Sequence, residues 1–546
     1  MPTSVHNKKY LEKLLGAKVS ESRLEKEIDK LGMSIERQDK ESIEVEFQAN
    51  RPDLISTIGL ARALRYSMGR KRSFKYMTKG DSGIQVNVGE EVEKLRPYIA
   101  AMLVKKANFT DESLLDLINF TDKLADTYGR HRKKLAIGLH DMQNVQQPIY
   151  YSMYANEEFE PLGGHKQDYS EVLESTEKGK AYAELCTQNG KYCVLKDSKG
   201  PMALIPVVNS ERTKISRSTK ELFVDITGTN QYVVEKTANL VAANFIDMGF
   251  DVYTVSIAKK GAKSMKTPDM RTMTITLPLE MFKKEIGSFN LAFNNVISLA
   301  NSMGHEAALV GRNIRFTVPA YRLDIINDQD IIEDIAVAYG YDYIKPFPVI
   351  SFGEGLLDEQ EQKNEELRSI MTGLGFFELL SSYMTNEETN FTKMKQEAMN
   401  YVKIKNAKAS TITMLRTWLL PSLLNSLSKS QHDRLPHKLF ELDMAFSVNA
   451  GEPIESQHLA CVVSNSSVDL NELKAVLETI AEALNASLEL KQAENKAFIS
   501  GRCGEIVLNK KSAGFIGEIH PEVLANFGIE EPTIAMEIEL TKLADE

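Results

Sequence analysis

Zinc ribbons and disulfide frameworks are the first architectures this sequence excludes. Its four cysteines, Cys186, Cys193, Cys461 and Cys503, are scattered over 546 residues without a CxxC pair. That usage fits a reducing compartment. No uninterrupted apolar run is long enough to cross a bilayer. The N-terminal stretch MPTSVHNKKYLEKLL lacks the apolar core of a signal peptide, so a cytoplasmic location is expected. A net charge of −10 argues against wholesale nucleic-acid binding and leaves room for a local basic patch. The GxxxxGK phosphate loop is absent. The nine histidines form no recognisable Ser-His-Asp or Cys-His arrangement. His140 in GLHD and His520 in GEIHPE read as structural. No low-complexity segment interrupts the chain. What is present is ordinary for a globular protein, 42% hydrophobic and 26% charged. The length implies roughly three to five domains.

One device recurs. A helical pattern ends in an apolar residue plus Gly, and a strand-like run follows, at Leu31-Gly32, Met248-Gly249, Met303-Gly304 and Leu374-Gly375. Glycine supplies the left-handed residue that closes a helix. The irregular spacing excludes a solenoid. An α+β multidomain chain is therefore expected. Residues 1–78 form a small α/β module, with ESIEVEF as a strand and TIGLARALRYSM as a helix. Residues 79–264 hold a larger mixed α/β domain. Residues 265–345 form an α+β module with the strands TMTITL and NIRFTVP and a helix through LAFNNVISLANSM. The prolines of KPFPVISFGEG mark a linker, and residues 350–546 form a further domain.

The stretch DIINDQDIIED, residues 324–334, is dense in carboxylates. Asp330, Glu333 and Asp334 share one helical face, and Asp324 lies where the preceding strand turns. Acidic residues complement the dipole of a first helical turn. They also suit a hard cation, since Mg²⁺ needs only one or two carboxylates and keeps several waters. The pattern alone supports both readings.

VPAYRLDIINDQDIIEDIAVAYGYDYI resembles the signature of the phenylalanyl-tRNA synthetase β-subunit family, archaeal/eukaryotic type. ANRPDLISTIGLARAL, GRHRKKLAIGLHD, IPVVNSERTKISRSTKELFVDITGT, LRTWLLPSLLNSL, KLFELDMAF and GEIHPEVLANFGI resemble successive parts of the same family, in family order. The resemblance implies an editing domain at 79–264 and a winged-helix-like module at 265–345. It implies a catalytically inactive class II synthetase-like antiparallel sheet with helices at 350–546. It also implies Mg²⁺ bound by Asp324, Asp330, Glu333 and Asp334. An α subunit completing an (αβ)₂ heterotetramer and tRNA(Phe) are the implied partners.

Residue chemistry agrees with this division of labour. Class II synthetase sites hold ATP phosphates with arginines. The strand HKLFELDMAF has none, and Arg416 lies on what reads as a buried amphipathic segment. Activation is therefore expected on the α subunit. Editing answers a separate need, because an apolar phenylalanine pocket rejects an added hydroxyl only by roughly 10². In LFVDITGT, Asp225 and Thr227 fall on one strand face, and Val224 and Ile226 on the other. ALIPVV reads as a buried strand ending at Asn209 and Ser210. TGTN leads into a helix from about Val234 to Met248. These four polar residues are the editing candidates, with turn capping as the alternative role for Asp225 and Thr227. GRHRKK, residues 129–134, is either a phosphate contact or a solvated loop. A non-editing structural subunit and a free-standing deacylase are the rival functions.

Overall fold

The computed structural model describes residues 3–70, 74–261, 263–287, 292–346, 348, 353–430 and 432–541. The chain divides into two compact units, residues 1–349 and 350–546. In the linker, residues 347 and 349–352 lie outside the described residues.

All four glycine joints close helices as expected. Gly32, Gly249, Gly304 and Gly375 have φ of 72, 83, 87 and 86°. Strands follow at Ser34–Gln38, Asp251–Lys259, Glu306–Val310 and Phe377–Glu378. A residue with a Cβ would be strained there.

Among the described residues the first unit contains three larger sheets and a two-stranded one, Glu158–Phe159 with Gln167–Asp168. The N-terminal sheet orders Thr3–Asn7, Ser42–Glu46 and Ser34–Gln38, all antiparallel. ESIEVEF buries Ile43 and Val45 and leaves Ser42, Glu44 and Glu46 half-buried, following period-2 alternation. The middle sheet is 11-stranded, with Leu222–Gly228 antiparallel between Tyr98–Lys105 and Ala136–Asp141. Val224 and Ile226 pack with the helix Gln231–Asp247, and Phe223 faces a second core. Each such buried Val or Ile contributes about 1.5–3 kcal/mol. That helix starts earlier than the sequence suggests, because the Asn230 side chain accepts from Val233 N and caps it. ALIPVV is not one strand. It ends at Leu204, turns at Pro206, and resumes only as Val208–Asn209, since proline has no N–H for the ladder.

The third sheet orders Met273–Pro278, Asn313–Val318 and Glu306–Val310. It packs on the helices Leu279–Ile286, Phe293–Ser302 and Asp328–Tyr339. A buried arginine ties the modules of this unit together. Arg62 donates to Asp247 at 2.9 Å and Asn244 at 3.0 Å, and lies 4.1 Å over the Tyr321 ring.

The second unit is built on a seven-stranded sheet, with a two-stranded one of Met384–Thr385 and Met414–Leu415. All its strand pairs are antiparallel except the parallel edge pair of Phe377–Glu378 with His437–Asn449. The helices Glu359–Gly373 and Leu470–Ala483 pack in one core, and Leu420–Ser430 and Pro521–Phe527 in another.

Candidate functional site

The strand Leu222–Gly228 places a carboxylate where an all-apolar strand would be cheaper. Asp225 is 1% exposed and lines a cavity of about 230 Å³. The walls mix apolar Ile137, Leu139, Leu204 and Val207 with Asn209, Arg132, Asp122, Lys178 and Lys214. Asp225 Oδ1 accepts a 3.0 Å hydrogen bond from His140 Nε2. Asp225 Oδ2 is buried and has no hydrogen-bond partner, a costly state for a carboxylate oxygen unless a ligand satisfies it.

Strand register makes this arrangement. Asp225 lies opposite Gly138, and a Cβ at 138 would stand 2.1 Å from Asp225 Oδ1. Glycine leaves the space that the carboxylate fills. His140 follows two residues later on the same face, and its Nδ1 lies 2.8 Å from Thr213 Oγ1.

The four polar candidates separate. Asp225 and Asn209 line the cavity. Asn209 also donates from Nδ2 to Leu139 O at 3.2 Å. Thr227 shares the face of Asp225 but is not among the lining residues. Its Oγ1 and carbonyl accept from the buried Arg96 at 3.0 and 2.7 Å. Ser210 caps the short turn Glu211–Thr213, accepting from Arg212 N at 3.3 Å. The Thr227 and Ser210 hydroxyl oxygens thus each accept one hydrogen bond from the protein.

The basic run also divides. Arg130, His131 and Arg132 take left-handed φ of 49, 51 and 60°. This turn sends Arg132 inward, to Pro206 O at 3.0 Å and Asp122 Oδ1 at 2.7 Å. Arg130, His131 and Lys133 stay exposed. Neither sequence reading of GRHRKK anticipates a buried wall arginine. Composition gives no signal for it.

The acidic face is partly an ion-pair network. Arg322 grips Asp324 with Nε at 2.9 Å and Nη2 at 2.6 Å, and Nη2 also reaches Asp334 Oδ2 at 2.6 Å. His305 Nε2 donates to the same Asp334 oxygen at 2.5 Å. Burial pushes the Asp334 carboxyl up, but Arg322 and His305 outweigh it and hold the group below the usual range. Asp330 Oδ2 accepts from Ile326 N and Asn327 N at 2.6 and 2.8 Å, completing a capping box. Glu333 differs. It is surface-exposed and has no hydrogen bond or ion pair among the described residues. Partial burial and then the charges of Asp334, Asp330 and Asp324 raise its pKa. Among the described residues, no three His, Cys, Asp or Glu side chains converge as a metal cluster. Among the described residues, the carboxylate oxygens left for a cation are those of Glu333, Asp330 Oδ1 and Asp334 Oδ1. They fit a mostly hydrated Mg²⁺, which needs one or two carboxylates.

In the second unit Arg416 is fully buried. It donates to Glu441 Oε1 at 2.6 Å, Ser381 Oγ at 2.7 Å and Met444 O at 2.9 Å. The side chain is committed to the domain's interior.

Family patterns described as B3/4 domain, tRNA synthetase B5 domain and phenylalanyl tRNA synthetase beta chain CLM domain match residues 85–245, 275–341 and 345–540. This order of domains defines a chain of an aminoacyl-tRNA synthetase. The phenylalanine–tRNA ligase beta subunit of Methanocaldococcus jannaschii is 33% identical over 99% of this chain and 100% of its own length. That of Thermococcus kodakarensis is 32% identical over the whole of both. An N-terminal fragment of the Pyrococcus horikoshii phenylalanyl-tRNA synthetase beta subunit superposes with a TM-score of 0.60 at 29% identity. It covers 62% of this chain and 100% of the fragment. The chain belongs to the phenylalanyl-tRNA synthetase β-subunit family.

Proposed function

We propose that this chain gives a phenylalanine–tRNA ligase its tRNA contact, its assembly surface and a hydrolytic editing site for Tyr-tRNA(Phe). The partner α subunit carries the reaction of ATP, phenylalanine and tRNA(Phe) to Phe-tRNA(Phe), AMP and diphosphate, within an (αβ)₂ assembly. The carrying observation is Asp225 Oδ2, a buried acceptor without a partner beside a cavity whose lining includes Ile137, Leu139, Leu204 and Val207. A tyrosine hydroxyl donates to it, and a phenylalanine ring leaves it unsatisfied. A site built to hydrogen-bond a hydroxyl discriminates far more strongly than an apolar pocket, by about 10⁴–10⁵. Hydrolysis needs no protein nucleophile. Water adds to the ester carbonyl, the bond to the ribose oxygen breaks, and that oxygen takes the proton. The exposed Arg130, His131 and Lys133 supply positive charge for tRNA phosphates.

Mg²⁺ belongs to the same proposal at a separate place. Asp330 and Glu333 would hold it, with Asp324 and Asp334 adding negative potential behind them. Its role there is to neutralise the carboxylate face.

The test is Asp225→Ala in the assembled enzyme. Losing one hydrogen bond to a charged group slows Tyr-tRNA(Phe) hydrolysis about 10- to 150-fold, while phenylalanine charging stays unchanged. Wild-type hydrolysis in a folded variant refutes the role of Asp225. A parallel fall in both activities marks a folding defect instead.

A further inference from the structure

Asp225 is half of a pair whose other half lies 85 residues away in sequence. We infer that His140 is a positioning residue of the editing pocket, fixing the Asp225 carboxylate so that one oxygen alone meets the substrate hydroxyl. The inference rests on the editing reading above and goes further in naming what sets its specificity.

His140 is fully buried and does not line the cavity. Its tautomer follows from its neighbours. A carboxylate only accepts, so Nε2 carries the proton and donates to Asp225 Oδ1 at 3.0 Å. Nδ1 lies 2.8 Å from Thr213 Oγ1, which donates to it in this tautomer. The alternative acceptor for that hydroxyl, Ser210 O, is farther at 3.4 Å. Thr213 is itself held by the turn that Ser210 caps. A line of contacts thus runs from Ser210 through Thr213 and His140 to Asp225. Gly138 completes it from below, since Oδ1 occupies the space a Cβ would fill.

The consequence concerns selectivity. With Oδ1 committed to His140, Oδ2 is the single free acceptor and its direction is fixed. Without His140 the carboxylate rotates, Oδ1 also becomes free, and the hydroxyl position is no longer defined. Tyrosyl and phenylalanyl esters then become more alike.

The experiment uses the full chain coexpressed with its α partner. Hydrolysis of tyrosyl- and phenylalanyl-tRNA is followed as separate kcat and KM values. Binding of amide-linked tyrosyl- and phenylalanyl-adenosine gives a readout without turnover. His140→Leu is expected to slow tyrosyl hydrolysis about 10- to 100-fold and to narrow the tyrosyl preference in binding. His140→Gln, whose amide N–H replaces the Nε2 donor, recovers most of both. Thr213→Val loses part and Thr213→Ser little. Phenylalanine charging is unchanged throughout. A folded His140→Leu enzyme with wild-type preference overturns the inference and leaves the editing reading standing. A Gln variant as impaired as the Leu variant also overturns it, since the role would then be bulk packing. If wild type neither hydrolyses tyrosyl-tRNA nor prefers the tyrosyl amide, the editing reading falls and takes this inference with it.

Discussion

At the scale of single residues, burial decides which polar groups do chemistry and which hold the scaffold. His6 shows the energetic side. It is buried, and desolvation with help from Lys123 lowers its pKa to about 3. The sign follows directly. The unfolded chain takes up a proton below about pH 6.5, and the folded chain does not until near pH 3. Stability is therefore complete above pH 6.5 and falls as pH drops. By pH 5 the loss is roughly 2 kcal/mol. His6→Gln keeps a donor toward Ser4 and cannot titrate. Denaturation midpoints at pH 7 and 5 should converge toward the variant or cross it as pH falls. Parallel lines between wild type and variant would show that His6 does not titrate in this way. The candidate site was legible to the same degree that it was local. A carboxylate in LFVDITGT announces itself against Val224 and Ile226. His140 does not, because its role depends on the register that sets Asp225 opposite Gly138. Thr227 shares the right face yet is captured by Arg96, a contact no spacing rule contains.

Elements were read best where a single residue fixes the backbone. The four apolar-Gly joints all close helices with left-handed glycines, and the strands after them follow. Sheet order was not readable, because the central neighbours in the 11-stranded sheet, such as Leu222–Gly228 between Tyr98–Lys105 and Ala136–Asp141, are not neighbours in the chain. The helix Asp328–Tyr339 carries both readings of the acidic stretch at once. Asp330 caps it, and Asp334 and Asp324 pair with Arg322. Two substitutions separate these roles. Asp334→Asn leaves Arg322 buried with less compensation and is expected to destabilise by about 3–5 kcal/mol, with or without Mg²⁺. Glu333→Gln removes an uncompensated charge. Without Mg²⁺ it should leave the melting temperature unchanged or slightly raised. Millimolar Mg²⁺ should raise the wild-type melting temperature and not that of Glu333→Gln. An equal Mg²⁺ increment in both proteins would remove Glu333 from the cation site.

On the scale of the whole chain, the two units have different unfinished business. The first holds the cavity and the acidic face. The second has an interior arginine, Arg416, and its long strand His437–Asn449 carries no arginine. It also presents apolar side chains to solvent near its edge strand: Phe377 at 75% exposure, Leu380 at 86% and Met384 at 46%. Exposed apolar side chains beside an edge strand suit a protein partner, and the relatives' name, beta subunit, implies an α subunit. These two facts make one prediction. The purified chain should form no phenylalanyl-adenylate, and ATP–pyrophosphate exchange should appear when α is added. Leu380→Glu should weaken copurification with α and lower exchange in proportion. Its own melting temperature should stay within about 0.5 kcal/mol of wild type in stability terms, since an exposed side chain supports no core. Exchange by the lone chain would place activation chemistry in the second unit and refute the division of labour. Full assembly of Leu380→Glu with α would move the interface away from this edge while leaving that division intact.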